Sequence, residues 1–334
     1  MKPPTIYDVA RLAGVSHQTV TRYLHGFEGI RPKTRERVAA ALAELGYQPN
    51  AAARLLRTRR NNRIGVLADL INQSGPARIL NGATELARQH GYVLDIVTTD
   101  GFSAESVSES LAVLTEHQVA GILATAQTNV VLDALRRNAP NVPMVIDVQS
   151  ELGSELPSTG EAAGRCAAEH LFDLGHRRVG YLSGPTGSLA AQDRLNGFKC
   201  RTDELGGEIV WQRAGDWSPE SGYAAWSGLS TDEREVTAVA AANDSMAIGL
   251  ISVARATGLR VPEDLSVVGT DDLPEARYLL PPLSTVVMDF EGEGRVILAA
   301  LLAQIEDEPF SEPIRMTPPY VVARDSTAAP RGAS

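Results

Sequence analysis

The chain has 334 residues, 43% hydrophobic and 22% charged, with a formal net charge of −10. That length holds one small and two medium globular units. No apolar stretch reaches the length of a membrane span or forms a signal-peptide core, so a cytoplasmic protein with no membrane partner is expected. An acidic total would exclude nucleic acid if spread evenly, yet residues 1–63 hold twelve Lys or Arg against four Asp or Glu, a balance of +8 that leaves −18 for the remainder. A basic arm of this kind supplies salt-dependent affinity for phosphates.

Two short helices come first. Ile6, Val9, Ala10 and Ala13 recur at helical spacing, Gly14 marks a sharp turn, and Ser16 stands where it caps a second helix over residues 17–24. Val20 and Leu24 face inward, which leaves His17, Gln18 and Arg22 on the outer face near the helix start. A helix-turn-helix protein presents its base-reading side chains there. Arg forks onto guanine, Gln onto adenine, and Ser or Thr hydroxyls suit phosphates. A third helix over residues 32–45 opens on Pro32 and stops at Gly46, with Val38, Ala41, Leu42 and Leu45 as its apolar stripe. An ordinary helical bundle would have the same core; the turn spacing combined with the local charge favours DNA.

Gly46-Tyr47-Gln48-Pro49-Asn50 breaks the third helix, and residues 51–57 are helix formers in a segment too short to be stable alone. Leu55 and Leu56, set among Arg54, Arg57, Arg59 and Arg60, suit an apolar wedge in the minor groove flanked by phosphate contacts. A plain basic linker has the same composition, and these residues alone leave both readings open.

From Asn62 onward strands alternate with helices. Strands are predicted at 64–68, 93–98, 121–125 and 143–148, with helices near 77–90, 104–116 and 130–137. A second series has a helix over 160–174 and strands at 178–182, 209–212, 236–241 and 265–268. Such alternation implies two doubly wound parallel-sheet lobes with right-handed crossovers. Ligands of open parallel sheets bind beyond the carboxyl ends of the strands, so paired lobes imply a cleft between them. Asp69, Asp147, Asn243, Asp244, Asp271, Asp272 and Asp289 fall at such ends. Each alone suits a loop or a helix cap, and their recurrence at one topological position makes them candidate contacts. Cys166 and Cys200 lack metal-ligand spacing and are expected as buried thiols rather than a disulfide. The chain contains no phosphate loop, no dinucleotide fingerprint and no zinc-protease motif, so no cofactor and no metal are expected.

Thr5-Ile6-Tyr7-Asp8-Val9-Ala10, Ala13-Gly14-Val15-Ser16 and Gln18-Thr19-Val20, followed by Lys33-Thr34-Arg35-Glu36 and the segment Gly46 to Asn50, resemble the headpiece of the lactose repressor (LacI) family of bacterial regulators. In the core, Leu174-Gly175-His176, Gly215-Asp216-Trp217-Ser218, Ala242-Asn243-Asp244, Ser266-Val267-Val268-Gly269 and Pro281-Pro282-Leu283-Ser284-Thr285 are similar to the family's sugar-binding module. The resemblance covers nearly the whole chain. Gly-Asp-Trp-Ser and the tract from Gly258 to Phe290 place it nearer the lactose-type branch than the purine-sensing one.

The resemblance implies an all-α helix-turn-helix headpiece (1–46), a hinge helix and linker (47–62), and a periplasmic-binding-protein-like core. Its lobes would be 63–159 with 289–317 and 160–288 with 318–325, followed by a disordered tail, 326–334. His17, Gln18 and Arg22 would read bases, and Leu56 would intercalate from the hinge. Thr5, Tyr7, Ser16, Thr19, Thr21, His25, Thr34, Tyr47 and Asn50 would contact the DNA backbone or support those contacts. Asp147, Arg194, Asn243 and Asp271, at or near strand ends, would hold sugar hydroxyls, with Trp217 against the ring, although an ordinary core aromatic is the other reading of Trp217. Asp69 and Phe290 would line the same cleft. Asp69, Thr125, Ser158 and Met288 depart from the lactose-type choices at matching positions, so their shape and polarity set a different glycoside fit.

The expected function is a transcriptional repressor that binds a pseudo-palindromic operator on double-stranded DNA and is released by a galactoside-type sugar, with a ligand acting as co-repressor left open. The residues after Arg324 show no heptad pattern, so a homodimer is expected. The competing reading is a sugar-processing enzyme with a DNA-binding domain, in which Asp147 and Asp271 would act as acid and base. The family match favours hydroxyl binding and no enzyme activity.

Overall fold

The computed structural model describes residues 4–24, 27, 29–47, 61–125, 128–147, 158–309 and 314–331. The expected contacts His25, Asn50 and Leu56 lie outside the described residues, as does most of the expected hinge. Two compact units divide the chain between Asn61 and Asn62.

The first unit is built on α1 (Ile6–Ala13), α2 (His17–Leu24) and α3 (Pro32–Leu45). At the start of α1 the Asp8 carboxylate accepts the Thr5 backbone N–H at 2.9 Å and the Thr5 hydroxyl at 2.6 Å, which occupies the donors that a helix start leaves open. Gly14 ends α1 at φ 60°, where a side chain would be strained. Val9, Ala10, Ala13, Val20, Val38 and Ala41 form the buried core, with Leu24, Leu42, Leu45 and Tyr47 packed against it. The apolar faces expected from the spacing are the ones that meet. One contact is not visible in the pattern. Arg37, from α3, donates through Nε to the Ala13 carbonyl at 2.9 Å and through Nη2 to the Gly14 carbonyl at 2.7 Å. It thereby ties the turn between α1 and α2 to the third helix.

The second unit runs β1 (Arg63–Ala68), α4 (Ser74–Gln89), β2 (Val93–Thr98), α5 (Ala104–Glu116), β3 (Gly121–Thr125), α6 (Asn129–Arg137), β4 (Met144–Asp147), α7 (Thr159–Asp173), β5 (Arg178–Ser183), α8 (Leu189–Glu204) and β6 (Glu208–Ala214). It continues through α9 (Pro219–Ser227), β7 (Ala238–Ala241), α10 (Asp244–Ala256), β8 (Ser266–Thr270), β9 (Ser284–Val287), α11 (Phe290–Glu306) and β10 (Tyr320–Val322). The strands form a four-stranded sheet in the order β2-β1-β3-β4 and a six-stranded sheet in the order β10-β9-β8-β7-β5-β6. These two α/β layers are the two lobes. Every residue of β3, β7 and β8 is buried, the signature of parallel strands covered by helices on both faces.

The chain crosses between the lobes after β9. Helix α11 packs on α4 over the first sheet, while β10 returns to the second. Where α4 meets α11, a Cβ on Gly82 would sit 2.0 Å from the Glu291 carbonyl, so the glycine lets the two backbones touch. The same device joins α7 to α8, where a Cβ on Gly164 would lie 2.0 Å from the Arg194 carbonyl. Gly164→Ala should therefore push α8 outward and destabilise the core by about 1–3 kcal/mol. A denaturation midpoint for the core transition equal to that of the parent chain would show that the helices relax without strain.

Four expectations need correction. β10 pairs antiparallel with β9, so the second sheet is not wholly parallel; the returning chain meets an edge strand, where either direction is open. Neither strand stood out in the sequence, because both are short and follow prolines. Residues 326–331 are not a disordered tail. The Ser326 side chain is fully buried, donates to the Val267 carbonyl at 2.6 Å and accepts the Ser284 N–H at 2.8 Å. Ala328 bonds the Ser266 hydroxyl and, through its carbonyl, the His176 ring at 2.9 Å. These bonds satisfy polar groups where β8 and β9 begin. Both cysteines are free, but Cys200 is exposed on α8 rather than buried, and Cys166 is half-buried with its thiol 3.4 Å from the Pro319 carbonyl. Finally, Arg194 stands on α8, not at a strand end. Among the described residues, no helix is long and apolar enough to cross a membrane.

Candidate DNA-reading helix and ligand cleft

At the start of α2, Ser16 Oγ accepts the Thr19 backbone N–H at 3.2 Å and lies 3.0 Å from the Thr19 hydroxyl. Ser16 thus caps the helix as its position implied. His17, Gln18 and Arg22 are exposed on this helix. Tyr7, on α1, is 61% exposed, and its ring centre stands 5.3 Å from that of His17, so an aromatic plate steadies the imidazole. The Arg22 guanidinium lies 5.6 Å from the Phe27 ring centre, a contact that the spacing did not reveal. Arg35 donates to the Phe27 carbonyl at 3.0 Å and stacks over Tyr23. Thr5 is exposed, while Thr19, Thr21, Thr34 and Tyr47 are half-buried, Tyr47 against the headpiece core. The surface therefore offers an imidazole and an amide at the start of α2 and a guanidinium in its last turn rather than near its start, flanked by hydroxyls.

In the second unit, four of the expected ligand residues come together beyond the carboxyl ends of the second sheet. Arg194 Nη1 donates to the Ala242 carbonyl just after β7 and lies 3.1 Å from Asp271 Oδ1, beyond β8. Both side chains are over 90% buried. Beyond this ion pair, Asp271 Oδ1 and Arg194 Nε are buried without a well-formed hydrogen bond. Buried polar atoms in that condition are costly unless something meets them. The Trp217 indole stands 5.6 Å from the Arg194 guanidinium. Trp217 adopts φ 72°, and its carbonyl accepts from Asn243 Nδ2 at 3.0 Å. Asn243 Oδ1 accepts the Met246 N–H at 2.8 Å and so caps α10. The side chain expected to hold a hydroxyl therefore also holds the tryptophan loop and a helix start.

Burial pushes the Asp271 carboxyl up from its ordinary value, although Arg194 and Arg78 pull it down. Asp244, beside it, is raised well above the usual range by burial and by the charge of Asp271. Its oxygens are committed to the Thr285 hydroxyl at 2.6 Å and the Leu273 N–H at 2.8 Å, a structural tie. Asp289 caps α11 through Gly292, and Asp272 pairs with Arg324 at 2.6 Å. These three strand-end carboxylates hold the fold together.

The first sheet contributes Asp69, just past β1. Its Oδ1 accepts the Leu70 N–H at 2.7 Å, while Oδ2 is buried against Gly101 without a well-formed hydrogen bond. Burial raises this carboxyl too. Asp147 ends β4 in register with Thr125 of β3, at the same edge. Phe290, only 2% exposed, packs against Gly75 at the start of α4. Met288 is fully buried, and the Ser158 hydroxyl donates to Asp193 at 2.8 Å. Among the described residues no cluster of His, Cys, Asp and Glu could hold a metal ion.

A residue absent from the sequence reading bridges these elements. Arg78, on α4, donates through Nη1 to the Asp271 carbonyl at 2.9 Å and grips the Glu291 carboxylate through Nε and Nη2 at 2.9 and 3.0 Å. An Arg partway along a helix resembles any solvated charge, and its partners lie some 200 positions away in the chain, with |i−j| of 193 and 213.

Residues 5–50 match the model of the bacterial regulatory proteins of the lacI family, and residues 168–327 match that of a periplasmic binding protein-like domain. The lactose operon repressor of Escherichia coli K12 is 32% identical over 99% of this chain and 92% of its own length. The chain belongs to the lacI family of bacterial regulatory proteins. The HTH-type transcriptional repressor PurR of Photobacterium profundum is likewise 32% identical, over 96% of this chain and 98% of its own. The solved structure of a Lac repressor dimer bound to operator and the anti-inducer ONPF superposes with TM-score 0.83 at 30% identity, covering 98% of this chain and all of that one. Proteins of this family are DNA-binding transcriptional repressors regulated by small-molecule effectors.

Proposed function

We propose that a homodimer of this chain binds a pseudo-palindromic operator through the exposed start of α2 and leaves it when a neutral, galactoside-type pyranoside occupies the cleft. The observation that carries the effector reading is the buried Arg194–Asp271 pair beside Trp217, with Nε and Oδ1 lacking a well-formed hydrogen bond. A sugar hydroxyl accepts from the guanidinium and donates to the carboxylate, while ring C–H groups lie on the indole. Asp69 adds an acceptor and Phe290 an apolar wall, and Asn243 and Asp147 are proposed to contact further hydroxyls. A phosphate would meet Asp69 and Asp271, while Arg78 is already engaged by Glu291.

Exposed Val93 and Ile96 on the edge strand β2, with Tyr278 (79%) and Leu280 (77%) on the second lobe, are apolar surface that a second copy would cover. His17, Gln18 and Arg22 are proposed to read bases, with Thr5, Tyr7, Ser16, Thr19, Thr21, His25, Thr34, Tyr47 and Asn50 at the backbone and Leu56 as the wedge. Sugar binding weakens operator binding only through unequal affinity for two lobe arrangements.

Calorimetry with methyl β-galactoside, a sugar phosphate and a purine base tests the effector class. Heat from the phosphate or purine alone would refute the neutral-sugar reading. Release of free sugar during the same incubation would favour the enzyme reading instead. For the DNA surface, Arg22→Ala should cost about 1–3 kcal/mol on the specific site and relax preference at one base. An equal loss on specific and random duplexes would reduce Arg22 to a phosphate contact.

A further inference from the structure

We infer that Arg78 is a positioning residue that reaches from the first lobe to fix Asp271 of the second, so that effector affinity depends on an arginine that does not itself touch the sugar. The inference rests on the cleft being the effector site. Arg78 belongs to α4, packed with α11 over the four-stranded sheet, whereas Asp271 follows β8 of the six-stranded sheet. The guanidinium has five N–H donors in a rigid fork. Four of them are spent on protein acceptors: two on the Glu291 carboxylate, one on the Asp271 carbonyl at 2.9 Å and one on the Met288 carbonyl at 3.3 Å. The cation also lies 5.3 Å from the Phe290 ring centre. Glu291 thus aims the fork, and Phe290 backs it.

Asp271 needs this support. It stands at φ 111°, and Asp272 follows at φ 50°. Two consecutive non-glycine residues at positive φ are strained and persist only where neighbours over-determine them. The Asp271 N–H is held by the Val286 carbonyl at 2.8 Å, and its carbonyl is held by Arg78. With both peptide groups fixed, the carboxylate is directed at Arg194. The clamp also joins the two lobes, so movement of one against the other bears on the Nη1 bond. Effector binding and lobe arrangement are thereby joined at one residue.

Hydrogen exchange on the full chain reads the clamp without any ligand. In Arg78→Met, amides 270–273 should exchange at least tenfold faster, while α7, α8 and the headpiece keep their rates. Arg78→Lys retains charge beside Glu291 but cannot bond both partners, and it should exchange at an intermediate rate. Calorimetry with methyl β-galactoside should then show a Kd at least tenfold weaker for Arg78→Met and partial rescue by Lys. Unchanged exchange at 270–273 in both variants would overturn the clamp. Faster exchange with an unchanged Kd would overturn its role in effector binding. Global loss of protection in both variants would also overturn it, because Arg78 would then hold the core rather than Asp271. If the wild-type chain itself binds no glycoside, the effector reading fails while the exchange result still decides the clamp.

Discussion

Replacing Asp271 by Ala is expected to give a protein that binds its operator but no longer leaves it when sugar is added. Losing a hydrogen bond to a charged group should remove about 1.5–3 kcal/mol of effector affinity, roughly ten- to a hundredfold. The substitution also strands Arg194, which is 5% exposed and has Asp271 as its ion-pair partner. Removing one member of a buried pair destabilises by about 3–5 kcal/mol, so the core should also melt earlier. Asp271→Asn separates the two effects. It keeps an acceptor of the same shape, so its sugar affinity should lie between those of the parent and Asp271→Ala. Calorimetry beside thermal melting makes the comparison. Undiminished sugar binding by Asp271→Ala would remove Asp271 from the effector site.

The second large effect is expected in the headpiece. Arg37→Ala deletes the donors to the Ala13 and Gly14 carbonyls that close the turn between α1 and α2. Hydrogen bonds to charged groups contribute about 1.5–3 kcal/mol, and a core of this size supplies only about 3–5 kcal/mol in total. One side chain therefore decides whether the reading helix is presented. Operator affinity should fall at least tenfold, as estimated from that energy, and hydrogen exchange across α1 and α2 should quicken, with sugar binding by the second unit unaltered. Retained protection in α1 and α2 would show that the apolar faces alone hold the turn.

The headpiece was legible because its determinants are local. Apolar spacing in α1, the left-handed turn at Gly14 and the Ser16 cap all act within a few residues of one another. Strands β1, β4 and β8 were equally plain, and the strand-end positions of Asp69, Asp147 and Asp271 followed from them. The sequence could not show how a polar side chain is spent. Asn243 looks like a hydroxyl ligand, yet it caps α10 and holds the Trp217 carbonyl. Asp244 and Asp289 share its pattern but serve the fold. Arg37 and Arg78 did not stand out, because their acceptors (backbone carbonyls and, for Arg78, the Glu291 carboxylate) are brought close only by tertiary packing. Residues 326–331 are short and polar, which reads as disorder until the open hydroxyls and amides of β8 and β9 are seen beside them.

The central claim joins two separate sites, so the decisive measurement must read both at once. A duplex selected by the full chain from a random pool would carry a fluorophore and be titrated by anisotropy, with and without methyl β-galactoside, at several salt concentrations. The account predicts a pseudo-palindromic duplex bound with two chains, affinity that falls steeply with salt, and release by the glycoside that Asp271→Ala abolishes. Binding no tighter than to random DNA, or a bound complex indifferent to every neutral glycoside, would contradict it.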